Sequence, residues 1–392
     1  MRFVVVKATM AVYAASNNIV KTFDDIQVRR PELAKSYLEL IKAQPGRPLA
    51  MFAPRRVGKT FFLDHDLAPA AKQARWLPVY ADLWLQKSAP LDAINHALEE
   101  ALDDVTVPTS EVGRLAKTTV KKLGVLGASL DLGDAPARRP LPTAAEMRLD
   151  ALVVRLSAAA GRPILLMLDE IQSLGDVANG EKIIATLRAV LHKRRDILKS
   201  VFTGSSQEAM TRMLSTAGAP MYQFAQLLDF PVLGDEFLKQ LADHFARVHP
   251  GKRLQPGDMT RVFTRIGFKP GLMRDLVKSI SAEGLTDMNE GVRRFLSDER
   301  QVSGWRALLQ PHDLFDLAVL LTIAKGNPPM GQASLQALAK VPGAHPTVAK
   351  VRAAIERLRR AGLITKPGGG ATAVDDPLFA EYLQGRALEQ LI

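Results

Sequence analysis

Two short stretches carry residues that could do phosphate chemistry. Ala53-Pro54-Arg55-Arg56-Val57-Gly58-Lys59-Thr60 follows the spacing G-x-x-x-x-G-K-[ST], with Ala53 in the place of the first glycine. In such a loop Gly58 lets the backbone curl around phosphate oxygens. Successive N–H groups and the following helix N-terminus offer partial positive charge. Lys59 would neutralise the β and γ phosphates, and the Thr60 hydroxyl would ligate Mg²⁺. The stretch expected to hold ATP is therefore Pro54, Arg55, Arg56, Val57, Gly58, Lys59, Thr60 and Phe61. The added methyl of Ala53 falls where the loop begins and is a mild departure.

Residues 164–170, ILLMLDE, supply the second half. A buried strand that ends in two carboxylates delivers them to the C-terminal sheet edge, where α/β proteins bind ligands. Asp169 is expected to hold Mg²⁺ through water. Glu170 is expected to orient and deprotonate the attacking water, which argues for hydrolysis over transfer to a substrate hydroxyl. A solvated acidic pair at a strand end is common, but this one follows a phosphate-binding loop. Further on, Thr203-Gly204-Ser205-Ser206 closes another strand. Ser205 there either touches the γ phosphate or its water, or Ser205 or Ser206 caps the next helix.

Those residues must be positioned by ordered elements, and the composition supplies enough core to do so. The chain has 392 residues, 47% hydrophobic and 24% charged, which excludes wholesale disorder and suggests two or three domains. It has no cysteine, so disulfide scaffolds, thiol nucleophiles and thiolate metal sites are excluded. Seven scattered histidines argue against structural zinc. No run approaches the roughly 18–20 apolar residues of a spanning helix, so no membrane partner is expected. The start, MRFVVVKATM, has no extended apolar core or cleavage site, and a cytoplasmic protein is expected; Met10 is a second candidate start. Lys and Arg number 52 against 41 Asp and Glu, a surplus of +11 that favours polyanionic partners.

Hydrophobic spacing sets the order of elements. Residues 29–42 read as a helix with Pro31 in its first turn, 48–52 as a buried strand, and 61 onward as a helix. Strands are expected at 77–83, 163–168, 200–203 and 231–232, and helices at 91–105, 144–160 and 181–195. Alternation of this kind predicts a parallel sheet covered by helices. Residues 106–145 lose the pattern and read as an insertion. From Asp235 to about Phe295 the spacing is helical only. The stretch 313–383 reads as three helices and a glycine-rich turn.

PLAMFAPRRVGKT, ILLMLDEIQSL and VFTGSS, in that order, resemble archaeal-type ATPases of the AAA+/STAND group. RRPELAKSYLELI is similar to the segment that opens their core. Ile266-Gly267-Phe268-Lys269-Pro270 is similar to the Gly-x-x-Pro that begins their lid helix. The resemblance implies an α/β P-loop NTPase core with a parallel sheet (1–234), a helical lid (235–304) and a C-terminal winged helix-turn-helix domain (305–392). It implies ATP with Mg²⁺, and self-association as a ring or filament. Gly271-Leu272-Met273-Arg274 is similar to the lid segment whose arginine reaches the γ phosphate, which makes Arg274 a candidate catalytic sensor. The family's Gly-Arg after the sensor strand is missing: Met221-Tyr222-Gln223-Phe224-Ala225 stands there. Arg212 is a possible substitute.

The tail reads as helix, turn, helix and wing. Thr347 can cap a helix that runs to Ala361, with Gly362 closing it. Lys350, Arg352 and Arg357 on that helix are the candidate contacts to double-stranded DNA, with Lys350 and Arg352 as base readers. Two functions remain open: an Mg²⁺-dependent ATPase whose nucleotide state controls DNA binding or assembly, or a STAND-type switch in signalling or defence whose winged helix meets a partner protein.

Overall fold

The computed structural model describes residues 22–54, 56–106, 140–205, 207–366 and 370–391. Most of the expected insertion at 106–145, Arg55, Ser206 and the centre of the glycine-rich turn lie outside them. The chain divides into two compact units. One holds residues 29–54 and 58–230. Of the described residues, the other holds 22–28, 56–57, 231–366 and 370–391.

The first unit is a five-stranded parallel sheet in the order β2-β3-β4-β1-β5. The strands are β1 (Leu49–Phe52), β2 (Leu77–Asp82), β3 (Ile164–Asp169), β4 (Leu198–Gly204) and β5 (Gln226–Asp229). Every residue of β3 is buried, as a continuous apolar run in a covered parallel sheet requires. The edge strand β5 alternates between half-buried and exposed, which explains its faint signal in the sequence. The expected strand at 231–232 falls instead at 226–229; Pro231 has no N–H to give a ladder.

Helices α1 (Pro31–Ala43), α3 (Pro90–Thr106), α4 (Ala145–Ala160), α5 (Gly180–Lys193) and α6 (Gln207–Ser215) belong to the same unit. Pro31 starts α1, and Ala34, Tyr37, Leu38 and Ile41 bury its apolar stripe. The helix after the Gly58 loop, α2, is α-helical over Lys59–Phe62, widens to a π turn over Leu63–Leu67 and resumes over Ala68–Gln73.

The second unit is mostly helical. It contains α7 (Asp235–Val248), α8 (Pro256–Arg265), α9 (Pro270–Glu283), α10 (Met288–Ser297), α11 (Glu299–Leu309), α12 (Leu314–Ala324), α13 (Gln332–Leu338) and α14 (Val348–Arg360). A hairpin of β6 (Ile364–Thr365) and β7 (Ala373–Val374) follows, then α15 (Pro377–Gln384). Helices α12 to α14 with this hairpin have the order of a winged helix. One hydrophobic cluster runs from Phe23 and Ile26 through α7–α11 into α12–α15. The joint is also polar. Buried Lys269, just before α9, donates to the Asp375 carbonyl and, at 3.0 Å, to its carboxylate. Arg265 grips Glu381 through two bonds of 2.7 and 2.5 Å. Among the described residues, no helix is long and apolar enough to cross a membrane.

Candidate functional site: a carboxylate at the end of β3

The loop after β1 is closed by Gly58, whose φ of +92° suits glycine far better than any residue with a Cβ. Arg56 also lies in the left-handed region, at φ +65°. The Arg30 guanidinium comes within 3.6 Å of where a Gly58 Cβ would stand, and it lies 4.2 Å from the Phe230 ring centroid. Burial lowers the Arg30 pKa from its usual value. The buried Lys59 ammonium donates to the carbonyls of Ala53, at 2.7 Å, and Pro54, at 2.9 Å. Val57 is buried and Phe61 half-buried, its ring stacked on His65 at 4.2 Å. Behind the loop, Arg29 donates at 2.7 Å to Asp66, a carboxylate with no side-chain exposure.

Asp169 ends β3 with its carboxylate buried at the C-terminal sheet edge. Four groups donate to it. The Thr60 hydroxyl reaches Oδ2 at 2.7 Å, and the Tyr80 hydroxyl reaches the same oxygen at 3.1 Å. The Thr203 hydroxyl and, at 3.1 Å, the Glu170 N–H reach Oδ1. The sheet register accounts for these meetings. Tyr80 pairs with Met167, so it lies two residues from Asp169 along the same face. Thr203 is one residue beyond the Leu168–Phe202 pair. Burial, and then the Asp169 charge, raise the Tyr80 pKa and keep its phenol a donor.

Glu170 leaves the strand in left-handed backbone, at φ +56°, and starts the 3-10 turn Ile171–Asp176. Its Oε2 accepts from Ser205 at 2.6 Å and from the Gln172 amide. Gln172 also donates to Ser205 at 3.4 Å. This triangle is tightly packed: a Cβ on Gly204 would stand 2.6 Å from Met210 Sδ and 2.7 Å from Gln172 Oε1. Thus Thr60, Asp169, Glu170 and Ser205, chosen from three separate sequence stretches, form one hydrogen-bonded group.

The donor set is all oxygen, as a hard cation such as Mg²⁺ prefers. No cluster of three or more His, Cys, Asp or Glu suited to a metal occurs among the described residues. A site completed by phosphates and water needs none, so Thr60 and Asp169 fit that group.

No family model matches the sequence, and neither does any curated protein. Among solved structures, the Walker-type ATPase paby2304 of Pyrococcus abyssi superposes with a TM-score of 0.57 at 17% identity, over 93% of this chain and 97% of that one. The Orc1 protein of Aeropyrum pernix in complex with DNA covers 95% of this chain and 96% of its own, at 15% identity and a TM-score of 0.47. The Cdc6p protein of Pyrobaculum aerophilum covers 94% and 97%, at 14% and 0.42. The chain has the fold of that Walker-type ATPase.

Within this fold the remaining candidates fall as follows. Arg274 lies on α9 and donates to the Asp24 carbonyl at 3.2 Å; Lys278, one turn on, pairs with the Asp24 carboxylate. The Gly-Arg position is a turn with Gln223 at φ +53°, and the Arg188 guanidinium lies 5.3 Å from the Phe224 ring centroid. Arg212 is exposed on α6. In the tail, Thr347 accepts from the Lys350 N–H at 3.2 Å, which caps α14 as expected. Lys350 and Arg352 are exposed on its first turns. Arg357 instead holds Asp316 of α12 by two bonds, of 2.9 and 2.6 Å. Arg359 and Arg360 pair with Glu356 at 2.6 and 3.4 Å.

Sequence reasoning missed Tyr80, Thr203, Gln172 and the Arg29–Asp66 pair. A tyrosine two residues before Asp82 carries no motif, and only the pairing of β2 with β3 brings it to Asp169. Thr203 closes an evident strand, but nothing in one dimension tells that this strand lies beside β3.

Proposed function

We propose that the protein is an Mg²⁺-dependent ATPase whose nucleotide state controls DNA binding through its winged helix. The observation that carries the catalytic half is the single network joining the Thr60 hydroxyl, Asp169, Glu170 and Ser205. In this reading Lys59 leaves its two carbonyls for the β and γ phosphates. Gly58 and its neighbours Pro54, Arg55, Arg56, Val57 and Phe61 wrap the phosphate chain. Thr60 and Asp169 hold the magnesium, which when bound offsets charge on the phosphate oxygens. Glu170 accepts a proton from the attacking water, and Ser205, with Gln172, fixes the angle of its carboxylate. Arg274 is the candidate that senses the γ phosphate.

The DNA half rests on the exposed Lys350 and Arg352 of α14 and on the chain's net positive charge. Nucleotide would favour one presentation of α14 by binding it with different free energy in the two states. Self-association would follow from the AAA+ fold. A specific observation also supports a protein-directed winged helix. Three of the basic residues on α14 are paired within the molecule. Beside them lies a groove of about 570 Å³, lined by Leu314, Phe315, Val341, Ala344 and Lys350 among others.

Fluorescence anisotropy with duplex DNA separates the two readings. With ATP present, affinity should fall steeply as salt rises, and Lys350→Ala/Arg352→Ala should flatten that slope by about two. Absence of binding at low salt, with ATPase activity intact, would establish the protein-directed reading.

A further inference from the structure

The four donors on Asp169 are more than a magnesium ligand's carboxylate can keep. An ionised carboxylate offers about four lone-pair directions, and all are taken here: two on Oδ2 by Thr60 and Tyr80, two on Oδ1 by Thr203 and the Glu170 N–H. To accept a hydrogen from water on a bound cation, Asp169 must lose one donor. The Glu170 N–H is backbone. Thr203 is fully buried. Thr60 can keep donating its hydrogen to Asp169 while its oxygen lone pair faces the cation. Tyr80 remains: its residue is 37% exposed, its bond is longer than that of Thr60, and it stands on an edge strand.

We propose that Tyr80 is a positioning residue that holds Asp169 through its hydroxyl and yields that oxygen when the nucleotide loads with magnesium. The inference rests on the nucleotide reading above and adds to it a group that sets how much magnesium the site requires. Tyr80 restrains the carboxylate at rest and competes with metal-bound water for the same oxygen. Its removal therefore makes loading easier.

The test is calorimetric binding of a non-hydrolysable ATP analogue to the full chain across a range of magnesium concentrations. In Tyr80→Phe, affinity without magnesium should stay within about twofold of wild type. The magnesium concentration giving half of the affinity gain should fall by roughly three- to tenfold, the net scale of one hydrogen bond made in exchange for water. An unchanged or raised midpoint overturns the proposal. A second readout needs no variant to fold differently: with ring-labelled tyrosine, five residues in all, the Tyr80 signal in wild type should shift when magnesium joins the analogue complex. A Tyr80 signal that stays in place also overturns it. If wild type binds no analogue at all, the nucleotide reading itself fails and this inference falls with it. Tight binding whose magnesium response is indifferent to Tyr80 removes the inference alone.

Discussion

The sheet unit and the winged-helix tail both place a buried carboxylate beneath a cluster of polar residues, but they treat it differently. Asp169 is surrounded by neutral donors: three hydroxyls and a backbone N–H. No cationic side chain is among these donors, so the carboxylate still attracts a cation. Asp316, at 2% exposure, meets the Arg357 guanidinium in a two-bond pair, with His312 3.7 Å away. Its charge is cancelled inside the molecule, and the pair ties α12 to α14. The first arrangement is suited to chemistry and the second to holding a fold. A row of basic residues in a sequence is thus a poor count of the charges that a helix offers to a partner.

The largest expected effect tests the first carboxylate's surroundings. Lys59→Ala should weaken ATP binding by at least about 100-fold in calorimetry, the scale of lost charge-assisted bonds. The winged-helix unit should melt as before, because the Ala53 and Pro54 carbonyls to which Lys59 donates belong to the sheet unit. Unchanged affinity would mean that the loop grips no phosphate. Glu170→Gln should retain binding and lower turnover by at least ~100-fold, as loss of a general base does. Wild-type turnover would make Glu170 part of the structure and nothing more.

The second carboxylate gives a smaller effect of another kind. Arg357→Ala should destabilise the helical unit by about 2 kcal/mol, because buried Asp316 loses both guanidinium bonds and keeps only the His312 ring, 3.7 Å away, beside it. Lys350→Ala and Arg352→Ala should each stay within ~0.5 kcal/mol, as exposed substitutions do. Adding Asp316→Leu to Arg357→Ala should recover much of the loss. If denaturation finds all three arginine and lysine variants alike, the contrast between the paired and the exposed side chains of α14 disappears.

Acid gives the smallest effect and again separates the units. His244 of α7 is buried against the Phe23 ring, with Arg247 3.4 Å from Nδ1. Burial first, and then Arg247, lower its pKa below 6.5, against a weaker opposing pull from Asp25. The folded helical unit therefore holds fewer protons than its unfolded state just below that value. His244's contribution is complete above about pH 6.5 and is lost as pH falls through the folded pKa. In the sheet unit, hydrogen bonding to Arg194 and then Lys193 holds Asp150 down at about 2. That contribution is lost only between the usual carboxylate range and about pH 2. Thermal unfolding from pH 8 to 4 should show the helical unit weakening first, and His244→Gln should flatten its slope.

The sequence by itself determined the local grammar. Pro31, Pro270 and Thr347 start the helices they were expected to start, and a continuous apolar run became the fully buried β3. These signals are short-range, arising from φ restriction, capping and burial on both faces of a strand. GKT and DE were legible as types of chemistry for the same reason. Tertiary structure alone decided strand order, and with it that Tyr80 and Thr203 meet Asp169 across neighbouring strands. It also decided that Arg357 is held by a carboxylate 41 residues away, while Lys350 on the same helix is exposed. Side-chain partners of this kind depend on which elements pack together, and that is fixed by the whole core rather than by neighbours in the chain.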